Sequence, residues 1–253
     1  MALVLFEKDS DILRVSLNRA SALNAIDSAL LEELERGLKE YKEDESLKAV
    51  AVFGQGGCFA AGADIKELAI LDEEGIRRFH QLRERTFLLL EEFPSPTLAV
   101  IEKYALGTGL ELALCCDFRI AGMDAKLGIP SARLGLVESY EYFARLVRTV
   151  GPPWAKKMVF TGEPIDAQTA WKIGLVEETS PADRLWAGVD SLLSRIGNHS
   201  PSSIRQTKKV IAACLQDPNL LQVRDKALPM VESMKTQDFR EATRAFLQKR
   251  GKS

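Results

Sequence analysis

Glu111 stands in apolar company. It is the one charged side chain between Lys103 and Asp117, and Leu110, Leu112, Ala113, Leu114, Cys115 and Cys116 surround it. Burying a carboxylate among such residues is costly unless something partners it or chemistry uses it. Just upstream, Gly107-Thr108-Gly109 turns the chain before the apolar run. A turn leading straight into a helix gathers free backbone N–H groups at the positive end of the helix dipole, a spot that can receive an oxyanion. A second loop, Cys58-Phe-Ala-Ala-Gly-Ala-Asp-Ile-Lys-Glu67, is built of small residues that let a ligand come close to the backbone.

The elements around these residues follow from periodicity. Alternation at 12–18 and apolar runs at 48–53, 98–101, 118–121 and 175–177 predict strands. Asp27 can cap a helix whose apolar stripe is Leu31, Leu34, Leu38 and Tyr41. Phe79, Leu82, Thr86, Leu89 and Leu90 mark a longer helix that ends before Pro94-Ser-Pro96. Helices are expected at 110–116, 154–160 (opened by Gly151-Pro152-Pro153) and 167–173. From Pro181 onward only helices are expected, at 182–196, 202–215, 219–234 and 239–249. Strands and helices alternate to about residue 180, so the pattern predicts an α/β fold with an all-helical appendage. The sequence Asn198-His-Ser-Pro201 is the boundary, dividing the chain into 1–197 and 198–253.

Composition excludes several functions. The chain has 253 residues and can bury a substantial core. A net charge of −2 without a basic block argues against nucleic acid or an anionic membrane as partner. Neither a signal peptide nor an apolar run of spanning length is visible, so a cytoplasmic protein is expected. Cys58, Cys115, Cys116 and Cys214 have neither disulfide-framework nor metal-ligand spacing and are read as reduced, buried thiols. Two isolated histidines, His80 and His199, offer no triad. Trp154, Trp171 and Trp186 are read as core or interface anchors, and Asp117 as a helix-end partner to Arg119.

Two motifs carry a resemblance. Tyr104-Ala-Leu-Gly-Thr-Gly-Leu-Glu-Leu-Ala-Leu114 and the loop from Cys58 to Glu67 resemble, in residue type and order, signatures of the crotonase (enoyl-CoA hydratase/isomerase) superfamily. Asn18-Arg19…Leu23-Asn24-Ala25 and Thr161-Gly162…Gly174-Leu175-Val176 extend the match over most of the chain. The resemblance implies a crotonase-like spiral of ββα units. It also implies a C-terminal helical region that assembles a homotrimer or a dimer of trimers. The substrate would be an acyl-CoA thioester, with coenzyme A arriving as part of it and neither metal nor resident cofactor required. Its carbonyl would lie between the N–H groups of Ala63 and Thr108, with Glu111 as the first catalytic glutamate. Arg19, Ala22, Leu23, Ala61, Ala63, Asp64, Ile65, Lys66 and Thr108 would line the coenzyme A path.

The departures from the superfamily pattern matter as much. Thr108 stands where relatives often have glycine, and Ser21 where a lysine is frequent. Pro130 is followed by Ser131, where hydratases carry their second glutamate, and a hydroxyl cannot act as an equivalent acid or base. A small-residue run is replaced by Glu138-Ser-Tyr-Glu-Tyr142, whose tyrosines are expected to narrow the acyl pocket. Isomerases place their acid near Ser139, one residue from Glu138, and Glu141 is a turn further on. Enoyl-CoA isomerisation or weak hydration through an enolate is therefore expected, within fatty acid metabolism. The alternatives are an acyl-CoA decarboxylase or hydrolase of the same superfamily, or a non-catalytic CoA-binding scaffold.

Overall fold

A computed structural model describes residues 2–219 and 221–250. The chain opens with a hairpin, β1 (Val4–Asp9) and β2 (Ile12–Leu17), then α1 (Ser28–Tyr41), capped by Asp27, which accepts from the Leu30 N–H at 2.8 Å. It continues through β3 (Ala49–Gly54), α2 (Ile65–Leu68) and α3 (Glu73–Glu91) to β4 (Thr97–Ile101) and β5 (Tyr104–Leu106). Next come α4 (Thr108–Leu114), β6 (Phe118–Gly122), β7 (Lys126–Gly128), α5 (Tyr140–Thr161), β8 (Ile165–Asp166), α6 (Ala167–Lys172) and β9 (Glu178–Ser180). Among the described residues the chain finishes with α7 (Leu185–Gly197), α8 (Pro201–Gln216), α9 (Leu228–Met234) and α10 (Gln237–Arg250).

The strands form two sheets, ordered β1-β2-β3-β4-β6-β9 and β5-β7-β8. From β2 to β9 the larger sheet is parallel, and its inner strands are covered on both faces, which is why they read as continuous apolar runs. Alternation splits their side chains. Val50, Val52, Ala99 and Ile101 join the main core with α1, α3 and α4 residues. Ala49, Ala51, Leu98, Val100 and Ile120 pack against Leu185, Val189 and Leu193 of α7. The ββα repeat is plain in β4-β5-α4 and β6-β7-α5, each pairing a strand of the larger sheet with one of the smaller.

Several expectations need correction. The strand expected at 175–177 lies at Glu178–Ser180, because the Leu175 and Val176 N–H groups both donate to Ala170 O and close α6. The helix expected over 219–234 starts only at Leu228. Pro229 fits a first turn, but inside a longer helix its ring would strike the carbonyl four residues back; Leu220 lies outside the described residues. Strands β5, β7 and β8 were not expected, since two or three residues show no period. The hairpin strand β1 was missed as well. Helix α5 starts earlier than expected, with a break at Gly151 (φ 73°) ahead of the two prolines. Asp117 pairs with Thr97 and with Lys208 Nζ (2.7 Å), not with Arg119, whose partner is Glu177. Cys214 is exposed, the other three cysteines are buried, and Trp171 is half exposed and so no core anchor.

The approach of α4 to the 58–67 loop depends on one glycine. A Cβ on Gly109 would sit 2.4 Å from Ala60 O, a backbone atom that cannot swing aside. Alanine would otherwise favour a helix interior by about 1 kcal/mol. Overpacking against backbone outweighs that gain, so Gly109→Ala is expected to lower stability by about 1–3 kcal/mol in urea unfolding.

Candidate active site

The two small-residue loops meet edge to edge. Ala60 bridges Ala105, its N–H donating to Tyr104 O and its carbonyl accepting from Leu106 N–H, both at 3.0 Å. Beyond that bridge Gly62 (φ 120°) and Gly107 (φ 49°) face each other. A Cβ on Gly107 would stand 3.8 Å from Gly62 Cα. Such backbone angles and such an approach are open to glycine. Ala63 and Thr108, each one residue past its glycine, are thereby brought to one place.

Among the described residues their N–H groups have no protein acceptor. The bridge between Ile26 and Ala63 uses Ile26 N–H to Gly62 O and Asp64 N–H to Ile26 O, both 2.8 Å, so the Ala63 N–H points to the other side. Thr108 opens α4, where no preceding turn can accept its N–H. The peptide carrying that N–H is fixed from its carbonyl end. Gly107 O accepts the hydroxyl of the fully buried Tyr142 at 2.7 Å and the Glu111 N–H at 3.1 Å.

One turn into α4, Glu111 is completely buried between two arginines. Arg83 Nε of α3 lies 3.4 Å from its Oε2, and Arg145 Nη1 of α5 lies 3.3 Å from its Oε1. Oε2 accepts no hydrogen bond from the described residues. Burial pushes the Glu111 carboxyl up to about 7, although both arginines pull it down; Glu138 and Glu84 push it up further. Desolvation is the largest influence, so this group can both take and give a proton near neutral pH. Arg145 is also clamped by Glu84 (2.6 Å) and Glu91 (2.9 Å).

Arg83 reaches a second carboxylate. Its Nη1 lies 3.7 Å from Glu138 Oε2, and Ser131 Oγ donates a short hydrogen bond to Glu138 Oε1. Ser131 is buried and the side chain of Glu138 is only 6% exposed, and they are the polar side chains of a cavity of about 450 Å³ otherwise lined by Leu136, Val137, Phe143, Val159 and Phe160 with Ala132 and Gly135. Tyr140 is exposed and Tyr142 lies in the core, so neither tyrosine narrows that cavity. Their one-residue offset from Glu141 explains this: Ser139 caps α5, and Tyr142 falls on the helix face turned to α4.

A family model described as enoyl-CoA hydratase/isomerase matches residues 7–253. The chain belongs to the enoyl-CoA hydratase/isomerase family, within the crotonase superfamily. It is 34% identical over 253 residues to the 2,3-dehydroadipyl-CoA hydratase of Escherichia coli, covering 99% of this chain and 97% of the relative. It is 32% identical to the crotonyl-CoA hydratase of Syntrophomonas wolfei, covering 98% and 95%. The crystal structure of enoyl-CoA hydratase from Bacillus anthracis superposes with a TM-score of 0.93 at 32% identity, covering 98% and 97%.

In this hydratase/isomerase chain the remaining residues expected at the site sort into two groups. The loop of Arg19, Ala22 and Leu23 joins that of Ala61, Ala63 and Asp64 through Ala61 N–H to Leu23 O at 3.0 Å. Leu23, Ile65 and Lys66 are exposed along this edge. Arg19 is turned inward, donating to Asp64 Oδ2 at 2.6 Å and to Ala25 O at 2.9 Å. Its guanidinium holds the Asp64 carboxyl below the usual range. Glu141 and His80 stay apart from Glu111, their side chains meeting each other at 4.0 Å near the surface.

Arg83 and Arg145 are the site residues that sequence reading did not single out. A signal existed. Arg83 falls within the apolar stripe of Phe79, Leu82, Thr86 and Phe87, and Arg145 within that of Tyr142 and Leu146. A cation on the buried face of a helix requires a buried anion to meet it.

Proposed function

We propose that this chain moves a proton at Cα of an acyl-CoA thioester, with Glu111 as the acid/base group and the N–H groups of Ala63 and Thr108 holding the thioester oxygen. The observation that carries this reading is a buried carboxylate poised near neutrality one turn from two converging, unacquitted backbone donors. As Cα loses its proton, charge builds on the carbonyl oxygen, and a fixed donor is worth roughly 3 kcal/mol there. Double-bond migration needs no more than this, because one base with reach to Cα and Cγ carries the proton between them. Enoyl-CoA isomerisation is thus the reaction that Glu111 alone supports.

The exposed loop edge of Leu23, Ile65 and Lys66 would face the coenzyme A portion, which comes and goes with the substrate. We assign residues 198–253 to assembly into a homotrimer or a dimer of trimers. Among the described residues α8 and α9 bury no side chain, and Ile211, Leu215, Met230 and Met234 are exposed. No helix among the described residues is long and apolar enough to cross a membrane, which suits the proposed cytoplasmic site of action.

The test is exchange. In deuterated water the protein should wash deuterium into Cα of a small acyl-CoA panel and migrate the double bond of 3-enoyl-CoA. Binding of coenzyme A thioesters without exchange would mark the chain as a scaffold and end this reading.

Tyr142 offers a finer check. A trans peptide sets its C=O and N–H opposite one another, so the Tyr142 hydroxyl on Gly107 O aims the Thr108 N–H. Tyr142→Phe is expected to lower kcat for exchange by about tenfold with little change in KM. The stability loss should be about 1 kcal/mol, read by denaturant unfolding.

A further inference from the structure

We propose that Glu138 is a second proton-handling carboxylate of this site, positioned by Ser131 and Arg83, and that it equips the chain to hydrate 2-enoyl-CoA thioesters. The inference rests on the reading of Glu111 and the oxyanion donors above. Its own support is geometric. Glu138 and Glu111 share one buried guanidinium, with Arg83 Nη1 3.7 Å from the first and Nε 3.4 Å from the second. The hydroxyl of Ser131 touches the Glu138 carboxylate, which is delivered from seven residues further along the chain. The same carboxylate borders the apolar cavity of about 450 Å³, which has room for an acyl chain and a water molecule.

The step balances with water as co-reactant. The water oxygen bonds to Cβ of the 2-enoyl thioester while its proton passes to Glu138, the group that accepts the Ser131 hydrogen. The Cα–Cβ π pair moves toward the thioester carbonyl, and Cα then takes the proton of Glu111. The product is the 3-hydroxyacyl thioester, and proton exchange with solvent returns both carboxyls to their starting states. Arg83 and Ser131 act as positioning residues.

Crotonyl-CoA hydration and Cα exchange, measured on the full chain, separate the two claims. Glu138→Gln, close to isosteric, is expected to reduce hydration by roughly 100-fold or more and Cα exchange by less. Adding Ser131→Glu to Glu138→Gln puts a carboxylate back across the same hydrogen bond and should recover hydration by about tenfold or more over Glu138→Gln alone. A bare packing role for Glu138 would not produce that rescue. Hydration by Glu138→Gln within about threefold of the parent overturns this proposal and leaves the role of Glu111 standing. A parent protein without Cα exchange overturns the Glu111 reading, and this one with it.

Discussion

Replacing Glu111 by glutamine is expected to cost at least about 100-fold, and as much as about 10⁴-fold, in Cα exchange, because glutamine keeps the shape and loses the proton. Acting as a base, Glu111 must be ionised, so the parent's exchange rate should climb with pH through about 7. A pH–rate profile of exchange reads that midpoint directly. A limb near the ordinary 4.5 of a glutamate would mean that a different, exposed carboxylate does the work.

The same substitution should not weaken the fold. Glu111 holds its proton to about 7 in the folded protein, against 4.5 for an ordinary glutamate, so the unfolded chain gives up its proton first as pH rises. Stability is therefore complete below about 4.5, falls between 4.5 and 7, and levels off above. At about 1.4 kcal/mol per pH unit the whole loss is at most about 3.5 kcal/mol. Glutamine has no proton to lose. Above pH 7, Glu111→Gln should thus match or exceed the parent in denaturant midpoint while being almost inactive, and the margin should close toward pH 4.5. Loss of activity and gain in stability in one variant would be the mark of a residue kept for chemistry.

Removing Arg145 is expected to have the opposite balance. Its guanidinium, itself buried, meets Glu84, Glu91 and Glu111 at 2.6, 2.9 and 3.3 Å. A methionine there fills much of the volume and leaves three carboxylates facing one another. Glu84 and Glu91 are partly exposed and can turn to water, whereas Glu111 cannot. Breaking a buried pair from one side costs about 3–5 kcal/mol, so Arg145→Met should unfold at a clearly lower denaturant concentration. The arginine also pulls the Glu111 carboxyl down, so its loss should carry the midpoint of the exchange profile to higher pH. An unchanged midpoint in a folded Arg145→Met protein would assign that influence to Arg83 alone.

The sequence by itself determined the α/β class, the core strands and the helical ending, because runs such as Leu98–Ile101 and stripes such as Leu31, Leu34 and Leu38 carry their period in the chain. It also determined that Glu111 would be buried, since no polar neighbour could keep it in water, and its two motifs were enough to indicate the family. Boundaries slipped where local hydrogen bonds overrode apolar pattern, as at Leu175 and Val176, or where one proline ruled out a helix, as at Pro229.

Only the tertiary structure decided what surrounds the carboxylate. Arg83 and Arg145 come from helices far apart in the chain, and nothing local to Glu111 reveals that they converge on it. The same is true of the second acid. Read along the chain, Ser131 stands where the family resemblance implies a glutamate, and Glu138 is one residue away from the position it implies for an isomerase acid. Folded, the turn between them bends back so that hydroxyl and carboxylate touch, and Tyr142 turns inward onto Gly107. A sequence specifies which groups exist and how each segment prefers to bend. Which charges share one low-dielectric pocket depends on long-range packing, and proton affinity follows from that sharing.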